Sequence, residues 1–523
     1  MDPMVPRMAT YATHAAWQYR YLATSYRHRC NPEYFEVRST SGPSPDPRQK
    51  VPRNGRKEAS ILRRDRPGSA GHRHAAESWQ PWAAGHKMLL VRGADYGPSS
   101  LAVTGLMAVG LVSGLANGYN GALLEGALPR LRVHGVVVDT EQSGMLGGAM
   151  SLGGLIGSLA CPSIASRFSR RNMVILGETV IVAGVLLFAC AHAFGQVLFG
   201  RVLTGFGVGI CALAKPLIVS ELAPPHMRGF LVSLFAIGQS IGLNGLYLAD
   251  WVLPPPTVER AWRMLVALGA SPAALVVVLA RCAPHSEYWD LSASSTKREE
   301  LRGLGGDSPV DQLRNIFLAE RVEVRRNFGL VVAMMAGYNL SGALVIANYA
   351  GEIFAAAGAS DRALPIFVGV VQFLGLITAA MWIDRIGRRP LLLWSCAVTA
   401  ICLYLIGALL GLQDDANGPL SPTVTPMLLV LMVAVEYAVG VGLNPIRIVL
   451  SAELMPTRYR PLGMSLGNAA GWSLSLVSLY SFPVLSAIAG GPAPQFIFFG
   501  SAVSALVVLL TIHLPETKGI ELD

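Results

Sequence analysis

Lys215 and Arg447 each interrupt a long apolar run, and 232 positions separate them. The same offset separates two acids, Glu221 and Glu453, each six residues further along the chain. Six helical residues advance about 9 Å, so both cations lie well inside their apolar runs. A charge held in lipid is costly without a partner, and such charges usually mark a pathway. Two readings stand side by side. Either both side chains face a common cavity and attract an anionic group, or each snorkels to the interface or pairs with Glu178, which sits at similar depth. Glu436 is a second buried acid. It precedes Arg447 by eleven residues, about three turns, so it shares that face but is too distant for direct contact.

A second constellation is a repeated set of charges. Ser166-Arg167-Phe168-Ser169-Arg170-Arg171 recurs as Asp384-Arg385-Ile386-Gly387-Arg388-Arg389, and Glu221 leading to Arg228 recurs as Glu453 leading to Arg460. Acids and arginines at helix ends can pair in one arrangement of two rigid bodies and part in another. Exposed pairs contribute about 0–1 kcal/mol each, so only a network biases such an equilibrium. Arg167, Glu221, Arg228, Arg385, Arg389, Glu453 and Arg460 are the candidates for a gate of this kind. The alternative is that they only fix topology.

The elements that carry these residues are membrane helices. The chain of 523 residues is 52% hydrophobic and 14% charged, outside the balance of a soluble globular protein. Apolar runs of about 20 residues, the length that crosses a bilayer as a helix, recur along it. There are twelve, from 101–124 to 493–514, and the seventh covers 327–356. The fold class expected is therefore an all-α membrane protein of twelve transmembrane helices in two pseudo-symmetric six-helix halves, a duplicated unit of the kind that builds transporters. The halves are 99–282 and 327–514. Residues 283–326 form a charged helical linker, 515–523 a short C-terminal tail, and 1–98 an N-terminal tail. That first tail holds 16 Lys+Arg against 8 Asp+Glu, so it carries +8 of the net +9, and its polar composition reads as disordered. The arginines concentrate in the loops at 166–171, 221–229, 384–390 and 453–461, which places those loops and both termini in the cytoplasm. The seven cysteines show no metal spacing. No phosphate-binding loop or nucleophile motif stands out, so neither an enzyme nor a cofactor is expected, nor any nucleic-acid partner. The partners expected are the bilayer and a small-molecule substrate.

Five segments bear a resemblance. Gly200-Arg201 with Gly205 and Gly209, Glu221 to Gly229, Asp384 to Arg389, Glu453 to Arg460, and Leu514-Pro515-Glu516-Thr517-Lys518-Gly519 frame residues 100–523. The plan resembles the major facilitator superfamily, and within it the sugar porters: facilitative glucose transporters and sugar–proton symporters. The resemblance implies alternating access of a hexose or related polyol through a cavity between the halves, and a multi-pass place in the plasma or an organelle membrane. In the first loop copy, Ser166 and Ser169 replace the acid or amide and the Gly that are usual.

Sugars are held by side-chain amides, which donate and accept at neighbouring hydroxyls, and by aromatic rings over the sugar's apolar face. Aligned with the family, the fifth-helix Gln falls at Ala236, with Gln239 one turn on. The paired seventh-helix Gln positions are Tyr338-Asn339, and the Asn that follows becomes Leu344. The eighth-helix Asn becomes Gln372, the tenth-helix Trp becomes Ile448, and the eleventh-helix Asn becomes Gly471 beside a matching Trp472. Asn120 stands where proton-coupled members carry an Asp, and an amide does not titrate near neutral pH. The resemblance thus implies substrate contacts at Asn120, Gln239, Tyr338, Asn339, Gln372 and Trp472, and favours facilitated diffusion unless Glu178 or Glu436 substitutes. The charged pair Lys215 and Arg447 leaves an organic-anion carrier open, and the altered amides leave open a nutrient sensor that does not transport.

Overall fold

A bilayer offers no water to backbone N–H and C=O groups, so an apolar segment crossing it must satisfy them internally, as a helix does. The computed structural model describes residues 100–137, 139–165, 168–222, 228–282, 322–356, 363–414, 424–456 and 459–517, and the elements found there are helical. The 1–98 tail, residues 283–321 of the linker and residues 518–523 lie outside the described residues, as does Arg167. The side chains of Glu221 and Arg228 do too.

The first half contains α1 (Ser100–Val133), α2 (Thr140–Ala165), α3 (Arg170–Ala189), α4 (Phe194–Leu222), α5 (Arg228–Val252), α6 (Glu259–Leu268) and α7 (Ala270–Cys282). The second contains α8 (Val322–Asn339), α9 (Ala343–Ala356), α10 (Leu364–Ile386), α11 (Arg388–Asp414), α12 (Val424–Val441), α13 (Leu443–Leu454), α14 (Arg460–Ala489) and α15 (Ala493–His513). Among the described residues, fifteen helices make twelve spans, because α6–α7, α8–α9 and α12–α13 are each one span broken in two. Ten of these stretches, again among the described residues, are long and apolar enough to cross a membrane. Helices α1 and α5 carry polar side chains within their apolar runs: Asn117 and Asn120 on one, Gln239, Asn244 and Asp250 on the other.

Two boundaries differ from the expected ones. Helix α8 begins at Val322, inside the segment assigned to the linker. Helix α1 runs to Val133, past the expected end at 124. Leu128 and Leu131 continue its buried face, and Arg130 is no loop residue. Its guanidinium binds Asp250 at 2.8 Å and donates to the Pro254 carbonyl at 2.9 Å, which ties α1 to the end of α5.

Two of the broken spans are mended by side chains of other helices. The Ser395 hydroxyl donates to Ala438 O at 2.6 Å and accepts from Leu443 N at 3.0 Å, bridging the break between α12 and α13. The Asn120 amide donates to Gly269 O at 3.0 Å at the break between α6 and α7. Between α8 and α9 the chain turns at Gly342, whose φ of 74° favours glycine.

Glycines set the spacing of the first half. Gly114 and Gly118 on α1 face the α5 backbone at Phe235 and Gln239, and Gly238 and Gly242 answer from α5. On α4, Gly205 and Gly209 lie against the α2 backbone at Met150 and Gly154. Small residues let membrane helices approach this closely. Gly205→Ala would drive a methyl group into the Met150 carbonyl. We expect a lower thermal midpoint for the detergent-purified variant, in line with an overpacking cost of about 1–3 kcal/mol. Gly195→Ala, with nothing within 4 Å of the added carbon, should melt like the parent.

Candidate functional site

A cavity of about 1340 Å³, its mouth included, lies between the halves. The first half lines it with Asn117, Ser151, Arg201, Lys215 and Gln239, the second with Tyr338, Asn339, Asn348, Arg447, Asn468 and Trp472. Six residues singled out in the sequence therefore meet there: Lys215, Gln239, Tyr338, Asn339, Arg447 and Trp472. The altered positions Leu344, Ile448 and Gly471 line it as well.

Four other candidates stand elsewhere. Asn120 is buried on α1 and spends its amide on the carbonyls of Ala116 (2.8 Å) and Gly269. Gln372 is also buried, on α10, where it donates to Glu436 Oε2 at 2.6 Å. That contact corrects the expectation of a free cavity amide at Gln372 and gives Glu436 its partner. Glu178 stands behind Lys215: Nζ lies 2.9 Å from Glu178 Oε1, and Ser113 donates to the same oxygen at 3.0 Å. Arg447 has no such acid. Its Cζ lies 3.9 Å from the Tyr338 ring centroid, with Asn444 Oδ1 3.3 Å and Met335 Sδ 3.2 Å from its nitrogens.

Sequence reasoning missed several lining residues. Arg201 is 2% exposed and donates to Asn120 O at 2.9 Å. In the sequence it sits within a glycine motif, although an arginine in an apolar run is itself a signal. Asn468 stands one turn before Trp472, and Asn117 one turn before Gly121, which also lines the cavity. Helical spacing from a known cavity residue would have found the first.

Polar bonds close the cavity between the halves at the end away from the Arg-rich loops. Helix α9 kinks at Tyr349 (φ −133°, ψ 20°). A regular helix joins the N–H of Gly351 to the carbonyl of Ala347. Both groups are engaged by the first half here: Tyr247 donates to Ala347 O at 2.9 Å, and Glu125 Oε1 accepts from Gly351 N at 2.5 Å. Arg132 and Glu352 add a half-exposed ion pair at 2.7 Å. Helices α2 and α14 touch along their length, through Ser151 with Ser475 and Ser465 with the Ser158 carbonyl, both at 2.7 Å.

At the Arg-rich end Arg171 donates to the Arg281 carbonyl within the first half, and several charges join elements of the second. Glu516 accepts from the N–H groups of Arg388 (3.0 Å) and Arg389 (3.1 Å), capping the N-terminus of α11 with an anion. Arg389 donates to Thr511 O at 2.7 Å. Glu453 lies 3.6 Å from Arg388 and accepts from Thr517 at 2.6 Å. Arg385 is exposed beside Trp382, and Arg460 opens α14. The first loop copy is built differently, since Ser169 caps α3 with its own hydroxyl.

Residues 106–523 match the family described as Sugar (and other) transporter. The chain belongs to that family. It is 25% identical to polyol transporter 5 of Arabidopsis thaliana, over 77% of this chain and 81% of that protein. It is 26% identical to the galactose-proton symporter of Escherichia coli K12, over 79% and 91%, and 26% identical to the facilitated trehalose transporter Tret1 of Apis mellifera ligustica, over 80% and 86%. Among solved structures it superposes on the proton:xylose symporter XylE with a TM-score of 0.67 at 22% identity, covering 81% of this chain and 98% of that one. The fold is thus that of the major facilitator superfamily, and the chain is a multi-pass sugar transporter by family rather than an enzyme.

The Lys215–Glu178 contact has a measurable consequence. Breaking a buried pair from one side typically costs about 3–5 kcal/mol, because a charge is left alone. Glu178→Gln should therefore lower the melting temperature sharply, and Glu178→Gln with Lys215→Met should restore much of the loss in the same assay.

Proposed function

We propose that this chain carries a sugar-sized polyhydroxy solute, of the hexose or polyol class, by facilitated diffusion through alternating access of its central cavity. The observation that carries the reading is the convergence of Gln239, Asn339, Asn348 and Asn468 with the Tyr338 and Trp472 rings on one space between the two halves. Amides serve hydroxyls as both donors and acceptors, and rings cover the apolar face of a sugar. Its relatives named for polyol, galactose and trehalose transport support that solute class.

Uncoupled movement is supported by chemistry. Asn120 does not titrate at working pH, and no carboxylate lines the cavity among the described residues. Labelled hexose and polyol should equilibrate across proteoliposomes at a rate that neither a pH gradient nor a protonophore changes. Uphill accumulation driven by the pH gradient would instead make Glu178 or Glu436 a coupling group. Binding without any flux would favour a sensor. Gln239→Ala and Asn339→Ala should each raise KM about tenfold, as expected for loss of a hydrogen bond worth about 1.4 kcal/mol.

The Arg-rich end faces the cytoplasm in this reading, as the positive-inside rule requires, and the plasma membrane is the membrane we favour. The bonds from Glu125 and Tyr247 to α9 then form the outer gate. Glu125→Ala should raise the rate at which a cysteine placed at Asn348, in a background without the native cysteines, is labelled by an impermeant reagent from outside. An unchanged rate would remove Glu125 from the gate.

A further inference from the structure

The cavity lining holds three cations, Arg201, Lys215 and Arg447, and no carboxylate among the described residues. Only Lys215 has an acid of its own, Glu178 at 2.9 Å. Arg447 meets a thioether sulfur and an amide oxygen, and its Nε has no partner. The acids of its own span are engaged elsewhere, Glu453 with Arg388 and Thr517 and Glu436 with Gln372. Arg201 is 2% exposed, gives one hydrogen bond to a carbonyl, and likewise leaves Nε unpartnered. Buried cations are ordinarily paired, because leaving one alone in a low-dielectric interior costs several kcal/mol. Arg201 is buried and Arg447 half-buried, and among the described residues neither has an acid paired with it.

A neutral sugar cannot supply the missing countercharge. A solute that brings its own anion can. Tyr338 covers one face of the Arg447 guanidinium and holds the group flat. A planar fork held in this way matches a carboxylate through two parallel N–H···O bonds. Asn339, beside Tyr338, and Asn468, one turn before Trp472, supply amides to the same cavity for hydroxyls. Arg201 precedes Lys215 by fourteen residues, about 21 Å along α4, so a single compact anionic group does not reach both ends of this row. One negative charge on a polyhydroxy body fits better than a doubly charged phosphate.

We propose that the solute is a sugar acid, an aldonate or uronate whose carboxylate docks on Arg447 while the cavity amides hold its hydroxyls. This rests on the sugar-carrier reading above and narrows its substrate class.

The test uses the full-length protein in proteoliposomes, with labelled gluconate and glucuronate set against sorbitol, glucose and glucose 6-phosphate in uptake and in mutual competition. The acids should compete at least about tenfold better than their neutral counterparts, the scale of one charge-assisted hydrogen-bonded pair. In Arg447→Gln that preference should fall by a similar factor. Equal competition by glucose or sorbitol, or a stronger hold on the phosphate, overturns the sugar-acid assignment and leaves the carrier reading intact. A preference unchanged in Arg447→Gln overturns the role given to Arg447 and with it the proposal. No binding and no flux of any of these solutes sinks both readings. Should Arg447→Gln fail to fold, Arg447→Lys keeps the charge but loses the fork, and the parent's competition series decides the substrate class by itself.

Discussion

A helix that breaks inside lipid exposes backbone groups that water cannot reach, and three of the twelve spans among the described residues break. Its polar architecture follows from that constraint. Ser395 spends both its donor and an acceptor lone pair on the gap between α12 and α13. Asn120 reaches from α1 to the gap between α6 and α7, and its own backbone carbonyl anchors Arg201 at the cavity wall. An amide at this position does two things. It carries no titratable group, and it supplies a donor that mends a neighbouring span. The kinked α9 differs from both cases, because the side chains that serve it belong to the opposite half.

Much of this was legible in the chain itself. Runs of apolar residues mark spans because a bilayer imposes a length, and the 232-residue offset exposed the two halves before any helix was placed. The pairing of Lys215 with Glu178 was one of two readings that depth alone allowed. What the sequence did not reveal depends on neighbours distant in the chain. A helical period tells which face Gln372 occupies, but not that Glu436 would meet it there. Likewise α1 continues to Val133 because Asp250 waits for Arg130, a fact carried by another helix. The charged loops suggest a gate between halves, and their sequence does not show that Arg388 and Arg389 also meet Glu516 from the end of the chain.

The duplicated loop shows how two copies can reach the same end by different means. In the first copy, Ser169 uses its hydroxyl to cap the helix that follows. In the second, Gly387 adopts φ 104° and offers no side chain, and the carboxylate of Glu516 arrives from the end of the chain to cap α11. The serine that looked like erosion of a motif is a local cap, and it makes a distant acid unnecessary. The C-terminal Pro-Glu-Thr motif belongs to the second half for the same reason.

The kink at Tyr349 bears on leakage. Were the halves to part at that end, as the proposed alternating access requires, the Gly351 N–H and the Ala347 carbonyl would lose the Glu125 and Tyr247 side chains that hold them. Water can replace those partners only after the gap is wide enough to admit it. A slightly opened gate therefore strands polar groups in a dry crevice and is less stable than either the shut or the fully flooded form. Such a profile has two wells with a ridge between them. It lets a carrier change sides without lingering as a pore, so ions and small solutes find no half-open route across.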